Sequence, residues 1–146
     1  NPARAGLAGR LGVNFAAPDA APSDCDLVVH ASGHGAGRAT ALRLAGDEAT
    51  VLEMSWYGAG EVPVALGSAF HSRRLRLVSS QVGRVAPSHR PRWSYGRRLA
   101  AALALAADDR LDALLASPVG FADLPQRLPE ILGPGSGVLC QVIAYP

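Results

Sequence analysis

The apolar positions of this chain come in short bursts cut off by glycine, and in the middle of the chain the bursts are continuous rather than alternating. Leu27-Val28-Val29 is an apolar run of the kind carried by strands buried on both faces, and Gly33, Gly35 and Gly37 end it abruptly. Arg38 to Leu44 then reads as helix. Thr50-Val51-Leu52 with Met54 predicts a second buried strand, closed by Gly58 and Gly60. Leu75, Leu77 and Val78 predict a third, closed by Gly83. Strands alternating with helical stretches imply a parallel α/β sheet with flanking helices.

The two ends carry weaker patterns. Pro2 suits a first helical turn, Ala3 to Leu11 follows in good helix formers, and Gly12 can take the left-handed position after a helix. Val13 to Phe15 is a candidate brief strand, and Ala16 to Asp24 a connecting loop. Beyond a loop around Pro87 and Pro91, Leu99, Leu103 and Ala106 recur at helical spacing, and Asp108-Asp109 ends that helix. Leu111 to Ala116 reads as extended. Asp123 is placed to cap a helix with an inward face of Leu124, Leu128, Ile131 and Leu132, kinked at Pro129. Val138 to Ala144 closes the chain as a strand. No internal repeat is present.

Composition narrows the class. The chain has 146 residues, 49% hydrophobic and 18% charged, which suits one ordinary folded domain. No apolar run approaches the roughly 20 residues that span a bilayer, and the polar opening Asn1-Pro2-Ala3-Arg4 lacks a signal-peptide core, so a cytoplasmic location is expected. Cys25 and Cys140 belong to no CxxC pair; they signal neither a zinc ribbon nor a disulfide framework and read as buried free thiols. Charge is unevenly spread. Between Glu61 and Asp108 there is no acid, while Arg73, Arg74, Arg76, Arg84, Arg90, Arg92, Arg97 and Arg98 all fall there. Such a stretch is either a solvated face balanced by acids elsewhere in the fold or a field that attracts phosphate. Neither nucleic acid nor a membrane is expected as a partner.

Strand, then Gly33-His34-Gly35-Ala36-Gly37-Arg38, then helix, with Glu53 closing the next strand, imitates a dinucleotide fingerprint and its ribose-binding acid. The third glycine of that pattern belongs at position 38, where Arg38 stands. The turn therefore reads as a glycine-rich connection after a later strand, the alternative being the first strand of a self-sufficient small Rossmann unit starting at Leu27; either way it can touch a ligand, because open parallel sheets bind beyond their carboxyl ends. His30 and His34 are four apart, but the glycines rule against a helical metal pair, and the sequence sets no carboxylate or thiolate beside either. Trp56 and Tyr57 serve equally as ligand contacts or as packing.

Taken in order, these segments resemble the medium-chain, zinc-binding-type alcohol dehydrogenase family over nearly the whole chain. Asn1-Pro2-Ala3-Arg4 with Leu7 to Val13 is similar to the piece after that family's second strand. Asp26 to Gly33 resembles its fourth strand, Thr50 to Gly58 its fifth, and Leu75 to Gly83 its sixth. The tail from Leu111 through Ile143 is similar to the segment that returns to the catalytic domain. The resemblance implies a Rossmann-like nucleotide-binding part over residues 1–110 and a returning segment over 111–146.

By the same resemblance, Arg4 borders the adenosine ribose or its 2′-phosphate, and Ser32, Gly33 and His34 pass the adenosine. Met54, Ser55 and Trp56 lie near the nicotinamide, and Ser79, Ser80 and Gln81 bond its carboxamide, largely through backbone. NAD(P) is the implied cofactor, with NADP slightly favoured by Arg4 and the basic stretch. The family's glycine fingerprint, first two strands, zinc ligands and proton relay would all precede Asn1, so no catalytic or zinc-ligating residue is expected here. An NAD(P)-dependent oxidoreductase portion, inactive without that N-terminal region, is the function implied; a non-catalytic α/β nucleotide-binding or interaction module is the alternative. Loss of the first strands would also bare a sheet edge and invite a homodimer.

Overall fold

The structure, a computed structural model, describes residues 1–146 and divides into two units, Ala16–Arg92 and Asn1–Phe15 with Trp93–Pro146. The first of these holds the parallel sheet. Strand β1 (Cys25–His30) runs into helix α2 (Gly35–Leu44), which passes directly into β2 (Ala45–Glu53); a single-turn helix α3 (Ala69–Ser72) then leads to β3 (Arg76–Ser79). Helix α1 (Ala5–Arg10) belongs to the other unit. The sheet order is β1-β2-β3 and both pairings are parallel, so the chain has the Rossmann-like α/β fold expected of it.

The core lies between α2 and one face of this sheet: Ala41, Leu42, Ala45, Ala49, Val51 and Leu75, with Val28, Val64, Phe70 and Leu77 against them. Small alanines let α2 approach the sheet closely. Register between β1 and β2 slips where Cys25 opposes Ala45 and Leu27 opposes Thr50, and the extra β2 residues form a bulge in which Ala49 stays in the core while Asp47 and Glu48 are exposed. Glu48 takes a φ of 57° inside that bulge; its N–H donates to the Arg73 carbonyl at 2.7 Å.

The expectation that Leu27-Val28-Val29 is buried on both faces is corrected. Val28 packs against the core, but Leu27 and Val29 are 58% and 52% exposed, because within this unit α2 covers only one face of the sheet. Met54 lies just past the end of β2 and is exposed, although its N–H still bonds the His30 carbonyl at 2.8 Å.

In the other unit, Asn1 accepts the Ala3 N–H and opens a short 3-10 turn that feeds α1; Gly12 follows at a φ of 71°, the left-handed position expected of it. Val13 to Phe15 forms no strand, having no partner strand to pair with. Helix α4 (Tyr95–Ala106) is capped by Ser94, whose hydroxyl accepts the Arg97 N–H. Leu111 to Leu114 is not extended: the Asp108 carboxylate accepts the Arg110 N–H and starts a 3-10 helix over Asp109–Leu114.

Strand β4 (Leu115–Gly120) then pairs in parallel with β5 (Cys140–Ala144). Between them, α5 (Leu124–Leu132) contains Pro129 and begins from a 3-10 turn, so Asp123 already has helical angles and its side chain caps nothing. Of its supposed inward face only Leu124 and Ile131 are partly buried, Leu128 and Leu132 being exposed. Cys140 is exposed rather than buried, and Cys25 is half-buried. No helix is long and apolar enough to cross a membrane.

Candidate functional site

Parallel pairing brings the carboxyl ends of β1, β2 and β3 side by side. His30 is the register partner of Glu53, and Glu53 of Ser79. The ladder continues one step beyond the strands, with the Met54 N–H donating to the His30 carbonyl and the Ser80 N–H to the Glu53 carbonyl, each at 2.8 Å. The turns at Ser32–His34, Met54–Trp56 and Ser79–Gln81 therefore leave one edge of the sheet together. The Gly33 N–H also donates to Ser55 Oγ at 3.0 Å, tying the first two turns.

A compact polar network sits under these turns. His30 is 4% exposed, and its Nδ1 lies 2.9 Å from both carboxylate oxygens of Glu53. Its Nε2 lies 2.7 Å from Ser32 Oγ. The Tyr57 hydroxyl donates to Glu53 Oε2 at 3.1 Å, and the Ser55 N–H to Oε1 at 2.9 Å. Burial on its own would raise the Glu53 pKa, but the hydrogen bonds from His30, Ser55 and Tyr57 outweigh it and hold the carboxyl down at about 2. Glu53 is thus an ionised acceptor, and no ribose need be invoked to explain its position.

Gly37 belongs to the same network. A Cβ there would overlap Ser32 Oγ and stand 2.7 Å from His30 Nε2, so the glycine leaves room for the Ser32–His30 hydrogen bond. Arg38, 6% exposed, reaches away from the turn: its Nη2 donates to the carbonyls of Val62 (2.9 Å) and Pro63 (2.5 Å), and its guanidinium lies 5.4 Å from the Tyr57 ring centroid. The glycine-rich turn is thereby accounted for by packing around a histidine and an arginine.

The sequence separated His30 from any carboxylate, and that reading is overturned by the Glu53 pairing. What could have disclosed the pair is position: each residue ends its strand, and neighbouring parallel strands end together. Trp56 is 86% exposed and so does not pack, whereas Tyr57 is half-buried against Arg38.

Of the residues singled out as cofactor contacts, Ser32, Gly33, His34, Met54, Ser55, Trp56, Ser79, Ser80 and Gln81 all fall on this edge. A cleft of about 410 Å³ beside the third turn is lined by Ser79, Ser80, Gln81, Arg84, Pro87 and Arg90. Arg4 lies in the other unit, where its Nη1 donates to the Gly137 carbonyl at 2.8 Å and it lines a cleft of about 690 Å³ with Leu7, Arg10 and Leu139. The basic stretch is partly spent internally. Arg73 and Arg90 donate to the carbonyls of Ala45 and Val85, and Arg74 pairs with Glu48 at 3.1 Å. No three His, Cys, Asp or Glu side chains gather in one place, so a zinc donor set is not among these residues.

No protein-family model matches the chain, and no curated protein matches it by sequence. Solved structures do. The alcohol dehydrogenase TADH from Thermus sp. ATN1 is similar with a TM-score of 0.68 at 20% identity, over 100% of this chain and 43% of that one. Bacillus subtilis yhfP, solved with NAD bound, is similar with a TM-score of 0.64 at 18% identity, over 98% of this chain and 44% of that one. A protein described as a zinc-binding dehydrogenase (gutB) from Clostridium scindens ATCC 35704 gives 0.57 at 14% identity, over 84% of this chain and 30% of that one. The chain spans less than half the length of each. At these identities the likeness is one of fold: a Rossmann-like parallel α/β arrangement of the kind found in dehydrogenases of the alcohol dehydrogenase type.

Proposed function

We propose that the chain is the cofactor-binding portion of an NAD(P)-dependent, alcohol dehydrogenase-like oxidoreductase of the medium-chain type. Residues 1–110 form its nucleotide-binding part and 111–146 the segment returning towards a catalytic domain. Hydride transfer in this reading requires that further domain. The observation carrying it is the alignment of three parallel strand ends whose turns, Ser32–His34, Met54–Trp56 and Ser79–Gln81, leave the sheet on one edge. Ligands of open parallel sheets bind there, and yhfP, of similar fold, was solved with NAD bound.

These residues fit a dinucleotide. The N–H groups of Gly35, Ala36 and Gly37 at the start of α2 have no partner, Trp56 and Met54 present unpacked apolar surface, and Ser80 and Gln81 are exposed at the third turn. When bound, the cofactor supplies hydride chemistry, and the chain's contribution is to bind and orient it. NADP is favoured over NAD by Arg4, whose guanidinium has donors to spare beyond its bond to Gly137, and by the basic stretch.

A second reading, a non-catalytic nucleotide-binding or interaction module, is favoured by the outer edge of β1, which has no neighbour in its sheet. Both are tested by titrating the isotopically labelled chain with NADPH and NADH by NMR while recording its mass in solution. The oxidoreductase reading expects saturable shifts at the amides of Gly33, His34, Ser55, Trp56, Ser80 and Gln81. Absence of any shift there up to about 1 mM nucleotide, roughly 4 kcal/mol of affinity, together with a dimer, would favour the interaction module instead.

A further inference from the structure

Ser32, His30 and Glu53 form a hydrogen-bonded chain of fixed polarity. Glu53 is an ionised carboxylate and can only accept, and both its oxygens lie 2.9 Å from Nδ1, so Nδ1 carries the hydrogen. In the neutral ring Nε2 is then the bare nitrogen. Its partner is the Ser32 hydroxyl at 2.7 Å, which must donate to it. Burial divides the three in a useful way: the imidazole is 4% exposed, while Ser32 is open to solvent.

We propose that Ser32 is a nucleophilic serine that takes acyl groups from activated esters, with His30 as its general base and Glu53 holding the imidazole in the required tautomer. The roles follow from contacts, as in hydroxyl–imidazole–carboxylate triads on unrelated folds. Three further observations support them. Gly37 lacks the Cβ that would overlap the Ser32 hydroxyl. Ser32 stands in the turn from β1 into the ten-residue α2, with Gly33 at a φ of 70°. The N–H groups of Gly35, Ala36 and Gly37 have no partner, and helix geometry opens them towards that turn, where a developing oxyanion needs donors.

In the step itself, Ser32 Oγ bonds to the ester carbonyl carbon as its proton passes to His30 Nε2, and the carbonyl electron pair moves onto oxygen. Collapse restores the carbonyl and breaks the bond to the leaving alkoxide, which takes the proton from Nε2. Water then repeats the sequence on the acyl-serine: it loses a proton to Nε2, and the carboxylic acid departs as Ser32 is restored. No oxidant, metal or nucleotide enters, so the inference stands apart from the dinucleotide reading.

The test uses the unsubstituted chain. It is incubated with p-nitrophenyl acetate, and acetylated peptides are mapped by mass spectrometry over time. Acetyl is expected on Ser32 in preference to Ser79 and Ser80, which are also exposed, at the end of β3. Ser32→Ala should abolish that adduct. Glu53→Gln should slow it at least about 100-fold, because an imidazole without its carboxylate partner no longer presents a bare Nε2 as base, with Ser79 labelling unchanged. Acetyl spread evenly over exposed serines in the unsubstituted chain would overturn the proposal, as would an undiminished Ser32 rate in a folded Glu53→Gln chain.

Discussion

Glu53 meets His30 across two neighbouring parallel strands, as register partners whose side chains stay on one face, with both carboxylate oxygens 2.9 Å from Nδ1. The pair closes the sheet where the chain begins to diverge into turns. Because Ser32, Ser55 and Tyr57 all bond one of these two residues, the geometry of the whole edge depends on them.

Acid should loosen this edge. Glu53 is held at about 2 against its ordinary 4.5, so its folded pKa is depressed. The stability it contributes is fully present above about pH 4.5 and is lost as pH falls from there towards 2. Solvent screening keeps it to about 1 to 2 kcal/mol when complete. Asp108 in the other unit, held at about 2 chiefly by its hydrogen bond from Arg110, titrates over the same range. Urea unfolding of the unsubstituted chain should therefore weaken between pH 5 and 3 by more than that of Glu53→Gln. Parallel curves for the two would show that Glu53 carries no such stability.

Glycine-to-alanine substitutions should have opposite signs at two places. Gly37→Ala drives a methyl into Ser32 Oγ and His30 Nε2 and should cost about 1 to 3 kcal/mol. Gly6→Ala in α1 meets nothing within 4 Å and should gain up to about 1 kcal/mol from helix propensity alone. Thermal melting of both variants checks this, and stabilisation by Gly37→Ala would mean that the Ser32–His30 contact does not form.

Arg38→Lys should not be conservative. Two carbonyls, of Val62 and Pro63, share one guanidinium nitrogen of Arg38, and the planar cation lies against Tyr57. Removing these charge-assisted bonds should cost about 2 kcal/mol. Amide exchange should quicken over residues 57–63, with nucleotide affinity gaining nothing from Arg38→Gly. Unchanged exchange there would show that the loop is held by something else.

Much of this architecture was legible because its signals are local. Glycines after Val29, Leu52 and Val78 mark where three strands end, and Gly12 marks the end of α1. Burial was less legible: an apolar run reads the same whether one face or both are covered, so Leu27 and Val29 misled. The 3-10 helix after Asp108 was hidden because a capping carboxylate, not periodicity, sets it. His30 and Glu53 stand 23 residues apart and meet only through register. The role of Gly37 was not legible either, because Ser32 and His30, which a Cβ there would meet, lie five and seven positions before it.

Trp56 separates packing from binding. Its side chain is 86% exposed, so truncation removes almost no buried surface, and Trp56→Ala should leave the urea midpoint within about 0.5 kcal/mol of the unsubstituted chain. If the strand-end turns hold a dinucleotide, the same substitution removes a large flat apolar surface beside it. NADPH should then bind roughly tenfold more weakly, a loss of about 1.4 kcal/mol. Trp93, whose ring lies 4.4 Å from the Arg97 guanidinium, is the internal control. Replacing it should lower stability, and calorimetric titration beside urea unfolding reads both effects. A Trp56→Ala chain that loses stability while keeping its nucleotide affinity would assign the residue to packing and remove it from the binding edge.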